Sequence, residues 1–495
     1  MKKYVCLIIL FTLPFIAIAQ NGEILTEEQL RELELLFYQN NDFEQEDFSN
    51  IPNNIISGQF TYDCVYSTNQ IKNLCKNLII VDSYVLSNLS TKIIRYAYDL
   101  YIGTQKHIAV LKTTNATKED IKNLITSFNS NIEGVVLIGK LDYAVFEQTY
   151  IVDSIPEYSS WPCELYFADL DGVWIDIDGN GKYDDHTGNI APEIILGRIP
   201  IVNNNSTELE YLSDYLDKIH NYWTGVTTIN KGNALDYRSE SWINKYGFDA
   251  IKNLYAIDKY RYSYTCDGDF GKNDYCNRLS SGEYEFVQLS AHSSTSFHKF
   301  ELCNDKSERL YSTYIAELDK KVLGLNLFCC SSCNWSKVNS ISSLLAGSYL
   351  YVNSNVLSIV GSTKTGSMLG FSEFYQPLSE NKSMGVSLKN WWNNYGISAY
   401  NKNVVINWFY GLSIIGDPFI TFINNTNYDC PDTTNVTYYL SSNDKFIYYR
   451  ANKELKITAN FENATGKHII FDAPTVKFSD GFYLPNNTSI EILRD

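Results

Sequence analysis

Three short apolar runs at 78–82, 108–111 and 135–139 alternate with two helix-patterned stretches at 90–102 and 118–128. Thr117 stands where a cap for the second helix is needed. Strand, helix, strand, helix, strand leaves few arrangements, because crossovers between parallel strands are right-handed and lay each helix on a sheet face. The spacing predicts an α/β fold with a parallel sheet. Further strands follow at 193–199, 231–236, 285–292, 322–330 and 356–361, with helices at 208–223 (Thr207 as cap), 242–254, 312–318, 342–351 and 374–394. Residues 255–278 read as irregular, and 408–422 close the body. From 424 onward Asn, Thr, Asp and Pro cluster, and then short alternating runs at 446–450, 455–459, 468–471 and 475–478 predict a small all-β C-terminal module. No internal repeat is legible in the sequence.

The chain has 495 residues, 44% of them hydrophobic and 20% charged, which is ample for a large folded core and unlike a disordered polymer. A formal net charge of −17 repels phosphate backbones, so nucleic acid is excluded as a partner. Lys2 and Lys3, the apolar run 5–18 and Ala17-Ile18-Ala19 read as a secretory signal peptide cleaved after Ala19. That run is too short for a bilayer span and no later run is long enough, so no transmembrane segment is expected, and the protein is placed outside the cell or on its surface. The acidic stretch 20–75 reads as an N-terminal extension or pro-segment. It carries a capping box at Thr26-Glu27-Glu28-Gln29 and a helical stripe of Leu30, Leu33, Leu36 and Phe37. Export permits disulfides among the ten cysteines that follow Cys6, and Cys266 and Cys276 flank a loop that they can staple.

Two strand ends carry the chemistry. The run 285–292, EFVQLSAH, ends at His292, and the run 322–330, VLGLNLFCC, ends at Cys330. If these strands are neighbours in one parallel sheet, both side chains emerge at the edge where open α/β sheets place their sites. A thiol beside an imidazole is the minimum for a thiolate nucleophile. Cys333 is the alternative nucleophile. Cys330-Ser331-Ser332-Cys333 is also a C-x-x-C, which keeps a thiol–disulfide oxidoreductase open as a rival, although nothing after Cys333 starts a helix. Zinc lacks a second ligand pair. His298, in a polar stretch, reads as a surface residue.

Between 164 and 200 the segment DIDGNGKYD places Asp176, Asp178, Asn180 and Asp184 at alternating positions, with Gly181 at the sharp turn and the Lys182 carbonyl at the seventh position. Hard oxygen donors in that rhythm predict a calcium loop, although Thr187 replaces the closing bidentate Glu. Asp169, Asp171 and Asp185 are candidates to complete the shell.

The segments ELYFADLDG…GNIAPEIILGRIP, VQLSAHSS, NLFCCSSCNW, and SIVGSTKTG with WFYGLSIIGDP resemble, in order and spacing, the gingipain-type cysteine peptidases of the caspase–hemoglobinase clan. The resemblance covers roughly 76–424, divided at 200 into a first half and a half with the His/Cys pair, and leaves 425–495 as the β module. It implies a caspase-like α/β/α sandwich around a mostly parallel sheet, cleavage of protein or peptide substrates, and structural calcium. It implies Cys330 as nucleophile, followed by Trp335 as the family's aromatic, and His292 as acid and base. The family has Gly after the His; here Ser293 stands there, supplying a backbone N–H for an oxyanion but also a Cβ that can crowd the substrate. The position matching the family's acidic specificity residue is near Asn189, so cleavage after Arg or Lys does not follow. A catalytically inactive surface-binding protein on the same fold is the alternative from another class.

Overall fold

The computed structural model describes residues 58–493 apart from 70–73, 129–130, 153–154, 228–231, 246, 256, 266–270, 303–305, 398–408, 424–429 and 438–443, together with a short pairing of Ala17–Ile18 with Ile24–Leu25. The rest of the signal-peptide reading and the helix read at 26–37 lie outside the described residues.

The body is built on one eleven-stranded sheet. In chain order its strands and flanking elements are β1 (Thr61–Ser67), β2 (Asn77–Asp82), α1 (Ser83–Thr104), β3 (Ile108–Thr114), α2 (Lys118–Phe128) and β4 (Gly134–Gly139). The hairpin β5 (Val145–Val152) and β6 (Ile155–Pro162) stands off the sheet. Then come β7 (Ile195–Pro200), α3 (Ser206–Trp223), β8 (Ala234–Arg238), β9 (Tyr260–Tyr264), α4 (Lys272–Ser280) and β10 (Phe286–Ser290). A second hairpin, β11 (Phe297–Leu302) and β12 (Lys306–Tyr311), precedes β13 (Gly324–Phe328), β14 (Ser358–Ser362), α5 (Ser372–Ser379), α6 (Met384–Trp391) and β15 (Leu412–Gly416). The sheet order is β9-β8-β10-β13-β14-β15-β7-β4-β2-β3-β1.

Neighbours pair parallel except at β14–β15 and at β3–β1. The fold class is therefore as the sequence implies: an α/β sandwich around a mostly parallel sheet. The β14–β15 seam reverses strand direction, so the two half-sheets have their strand C-termini on opposite edges. β1, placed by the sequence reading in the N-terminal extension, is the antiparallel edge of the sheet.

Alternate residues of the central strands feed two cores, as a two-sided strand requires. Ile79, Val81, Val110, Val136 and Ile138 pack with α1 and α3. Leu78, Ile80, Leu111, Val135 and Leu137 pack with Ile121, Leu124 and Ile125 of α2. Thr117 caps α2 as expected: its hydroxyl accepts the Asp120 N–H at 3.2 Å. α3 is capped not by Thr207 but by Asn205, which accepts the Glu208 N–H at 2.9 Å.

Three helix readings are corrected. Residues 242–254 form only 3-10 turns, interrupted near Asn244 and Gly247, both in the left-handed region (φ 60 and 75). The 374–394 stretch is two helices broken at Asn381 (φ 61), with Ser383 capping the second. The supposedly irregular 255–278 holds β9 and the start of α4.

The C-terminal module is all β, and it does repeat. Strands β16 (Thr433–Val436), β18 (Glu454–Ile457) and β20 (Thr475–Phe478) form one parallel sheet, and β17 (Phe446–Arg450), β19 (His468–Asp472) and β21 (Ser489–Leu493) a second. The chain alternates between them in steps of 21 or 22 residues, so the module is a three-coil solenoid. The repeat escapes the sequence because only inward positions recur, such as Ile447, Ile469 and Ile490, while the loops differ. Arg450 fastens the solenoid to the body: its guanidinium lies 2.9 Å from Asp99 of α1, which also meets His220 of α3 at 2.7 Å.

Candidate active site

Strand register decides where His292 and Cys330 meet. β10 and β13 pair in parallel with Ser290 opposite Phe328. The ladder extends one step further, since the Ala291 N–H donates to the Phe328 carbonyl at 3.3 Å. His292 and Cys330 are each two residues beyond the last aligned pair. Equal offsets from neighbouring parallel strands bring both residues out at the same edge of the sheet. The strands that lead into His292 and Cys330 are thus neighbours in one parallel sheet, the condition the sequence reading set for the pair.

Both ends are pinned. His292 and Ser293 leave the main sheet and pair antiparallel with Lys299 and His298 of β11. The Ser293 hydroxyl donates to the Cys330 carbonyl and ties the two strand ends together. After Cys330 the chain turns through Ser331, whose φ of 54 is one that Ser rarely adopts and that costs about 1–2 kcal/mol. The turn is held by the Ser331 N–H on the Lys364 carbonyl at 2.8 Å and the Cys333 N–H on the Ser362 carbonyl at 2.9 Å.

Burial sorts the three cysteines. Cys330 is 8% exposed, whereas Cys329 and Cys333 are wholly enclosed. Burial pushes the Cys329 thiol well above its ordinary range and the Cys333 thiol up to about 12, which leaves both as inert protonated thiols at neutral pH. Cys333, the alternative nucleophile, is therefore the more enclosed of the two candidates. Among the described residues Cys330, Cys333 and Cys276 of α4 take part in no disulfide; Cys266, the expected partner of Cys276, lies outside the described residues.

His292 is buried against the Trp242 ring, 5.4 Å between centroids. Burial pushes its imidazole down to about 4, with Glu301 opposing and Lys299 reinforcing. Burial thus favours the neutral ring, the form that accepts a proton. The Glu301 carboxylate stands 3.7 Å from Nε2, too far for a direct hydrogen bond but close enough to favour the imidazolium as it forms. Glu301 is itself held, its N–H donating to Ser239 Oγ at 2.8 Å and its carboxylate accepting from Ser241. Sequence reasoning missed this third residue, because a Glu at the end of a strand carries no signal until β11 folds back on His292. His298 is not a surface residue: it is fully buried and hydrogen-bonded to the Tyr349 hydroxyl at 3.0 Å.

The single calcium shell expected from the sequence is split into two acidic groups. Asp178 and Asp184 converge with Glu147 of β5, while Asp169 and Asp171 converge with Glu193. Asp176 is occupied within the loop, accepting the N–H groups of Gly179, Asn180 and Gly181 at 2.8, 3.1 and 2.7 Å. Asn180 donates to Glu147 and Asp178 at 2.8 and 3.0 Å. The Lys182 ammonium also meets the first group, 3.5 Å from Glu147. Asp185 accepts the His186 N–H at 2.8 Å. Burial, with the nearby carboxylates of Glu147, Asp178 and Asp176, raises the Asp184 carboxyl above its ordinary value. Asn189 belongs to the second group, donating to Asp171 and Glu193 at 3.3 and 3.2 Å.

A profile of Peptidase family C25 matches residues 97–422, a stretch that includes His292 and Cys330. The chain belongs to peptidase family C25. As a family C25 chain it falls among the cysteine peptidases, for which proteins are the substrates. Similar solved structures include the Arg-specific cysteine proteinase gingipain R, at 12% identity and TM-score 0.47 over 74% of this chain and 83% of that one. The complex of Porphyromonas gingivalis RgpB pro- and mature domains matches at 13% and 0.48 over 73% and 84%, and a structure described only as a protease at 14% and 0.48 over 71% and 79%. No curated protein matches the sequence. Among the described residues, no helix of this family C25 chain is long and apolar enough to cross a membrane.

Proposed function

We propose that this protein is an exported cysteine endopeptidase that cleaves through an acyl-enzyme on Cys330. The observation that carries the reading is the equal offset of His292 and Cys330 from adjacent parallel strands. His292, neutral before reaction, takes the thiol proton as the sulfur attacks the substrate carbonyl. The C–S bond forms, and the carbonyl electrons move to oxygen, which backbone N–H groups near Cys330 and Ser293 stabilise. Collapse breaks the C–N bond, and the amine leaves with the proton from His292. Water then enters, gives its proton to His292, and releases the acid and the thiol. The lysine-bearing N-terminus and A-x-A site at Ala17-Ile18-Ala19 support export before this chemistry begins.

A peptide-based thiol-directed covalent probe tests the reading. Labelling at Cys330, found by peptide mass spectrometry and lost in His292→Ala, is the expected result. An unlabelled Cys330 in reductant at neutral pH, alongside a folded His292, favours a non-catalytic binding protein.

Calcium belongs to the same reading as a structural ion. Glu147, Asp178 and Asp184 offer hard carboxylate oxygens close together, the donor chemistry calcium takes, and their mutual repulsion is what a divalent cation would relieve. These residues would hold the ion, and it would brace the loop that packs against β5. Saturating calcium is expected to stabilise the protein against heat, by about 2–3 kcal/mol at a hundred times the dissociation constant, and Asp178→Asn with Asp184→Asn to remove the dependence. An unfolding temperature that is the same in calcium and in chelator defeats this assignment.

A further inference from the structure

The register that aligns His292 with Cys330 continues into a third strand. β13 and β14 pair in parallel up to Asn326 opposite Val360, and past that pair Lys364 stays beside the turn that follows Cys330. His292, Cys330 and Lys364 each stand two residues past the ends of adjacent strands, with the cysteine's strand in the middle. The Ser331 N–H on the Lys364 carbonyl fixes the spacing on this flank.

Lys364 is 1% exposed, and an enclosed ammonium needs a reason to be there. Its Nζ lies 4.0 Å from the centroid of the Trp161 ring of β6, a face that favours a cation. The neighbouring Thr363 is tied to the Pro162 carbonyl through its hydroxyl at 2.6 Å and to the Gly411 carbonyl through its N–H at 2.8 Å. The Glu164 carboxylate beyond Pro162 is matched to Arg198 at 2.9 Å. On the far side of the sulfur, His292 stands with Lys299 and Glu301. The Cys330 sulfur is the charge acting on Lys364, where it favours the ammonium against the effect of burial.

Resting on the peptidase reading of this site, we propose that Lys364 is the cationic partner of the Cys330 thiolate, on the flank opposite His292. An enclosed neutral imidazole takes a proton but lends the free enzyme no positive charge. Lys364 supplies that charge from a strand end already in register. Burial brings the lysine down to about 7, so near neutral pH it passes between neutral amine and ammonium while the thiol ionises beside it. No proton need leave Lys364 during acyl transfer; its charge lowers the cost of the sulfur anion that His292 creates.

The test is the pH dependence of Cys330 alkylation by iodoacetamide in the full chain, read by peptide mass spectrometry without substrate. Lys364→Met is expected to move the midpoint upward and to slow labelling at pH 6.5 by about tenfold, whereas Lys364→Arg keeps the wild-type profile. The Lys364→Met shift should persist in a His292→Asn background, which an effect relayed through the histidine would not do. Lys364→Gln gives the same comparison if the Met variant does not fold. A Met or Gln variant with the wild-type midpoint, or an Arg variant that shifts as far as Met, overturns the inference. Because no peptide is cleaved in this assay, the shift can be found even if peptidase activity is not, and the two readings fail separately.

Discussion

Cys330→Ala is expected to lower peptide-library cleavage by at least about 10⁴-fold, the scale on which a covalent nucleophile matters. His292→Ala should fall nearly as far. The double variant should be little worse than either, because nucleophile and base act as one unit. Cys333→Ala should stay within about threefold of wild type, since an enclosed thiol pushed up to about 12 takes no part in attack. The measurement is mass-spectrometric profiling of a peptide library, with circular dichroism to confirm that each variant folds. Full activity in Cys330→Ala, or its loss in Cys333→Ala, removes Cys330 from the role assigned to it.

That prediction rests on a pair legible before folding, and the reason is physical. Apolar runs that stop at a polar or reactive residue mark buried strands and the sheet edge where they end, and 285–292 and 322–330 are of this kind. The β-α alternation across 76–139 was equally plain. What stayed hidden depends on non-local pairing. Nothing local says that β15 runs antiparallel to β14, so the reversal of the half-sheets could not be read. Lys364 and Glu301 become neighbours of the pair only through register across strands. The acidic loop shows the limit of rhythm as evidence. Its spacing drew eight residues into one shell, but a 3.8 Å step between residues does not say which way a carboxylate faces, and Glu147, in another segment, supplies the convergence. Gly247, Asn244 and Asn381 ended helices that apolar periodicity alone would have continued.

Arg198→Met is expected to cost about 3–5 kcal/mol of stability, the largest effect of any change outside the nucleophile pair. Arg198 is 1% exposed in β7. Its guanidinium pairs with Glu164 at 2.9 Å, donates to the Leu141 and Asp142 carbonyls at 3.3 and 3.2 Å, and lies 5.0 Å from the Trp335 ring. It thus joins the first half-sheet to the turn that follows Cys330. Removing the cation leaves Glu164, 4% exposed, as a charge inside the protein with neither water nor partner to balance it. Removing both charges is a different experiment. Arg198→Met with Glu164→Gln leaves no uncompensated ion, and the Met stem refills the space beside Trp335. The double variant should therefore recover most of the lost stability, read as the midpoint of urea unfolding against wild type and each single variant. If Arg198→Met unfolds at the wild-type midpoint, the pair contributes nothing; if the double is as weak as Arg198→Met alone, the cost lies in lost packing against Trp335 and the two carbonyls, not in the stranded carboxylate.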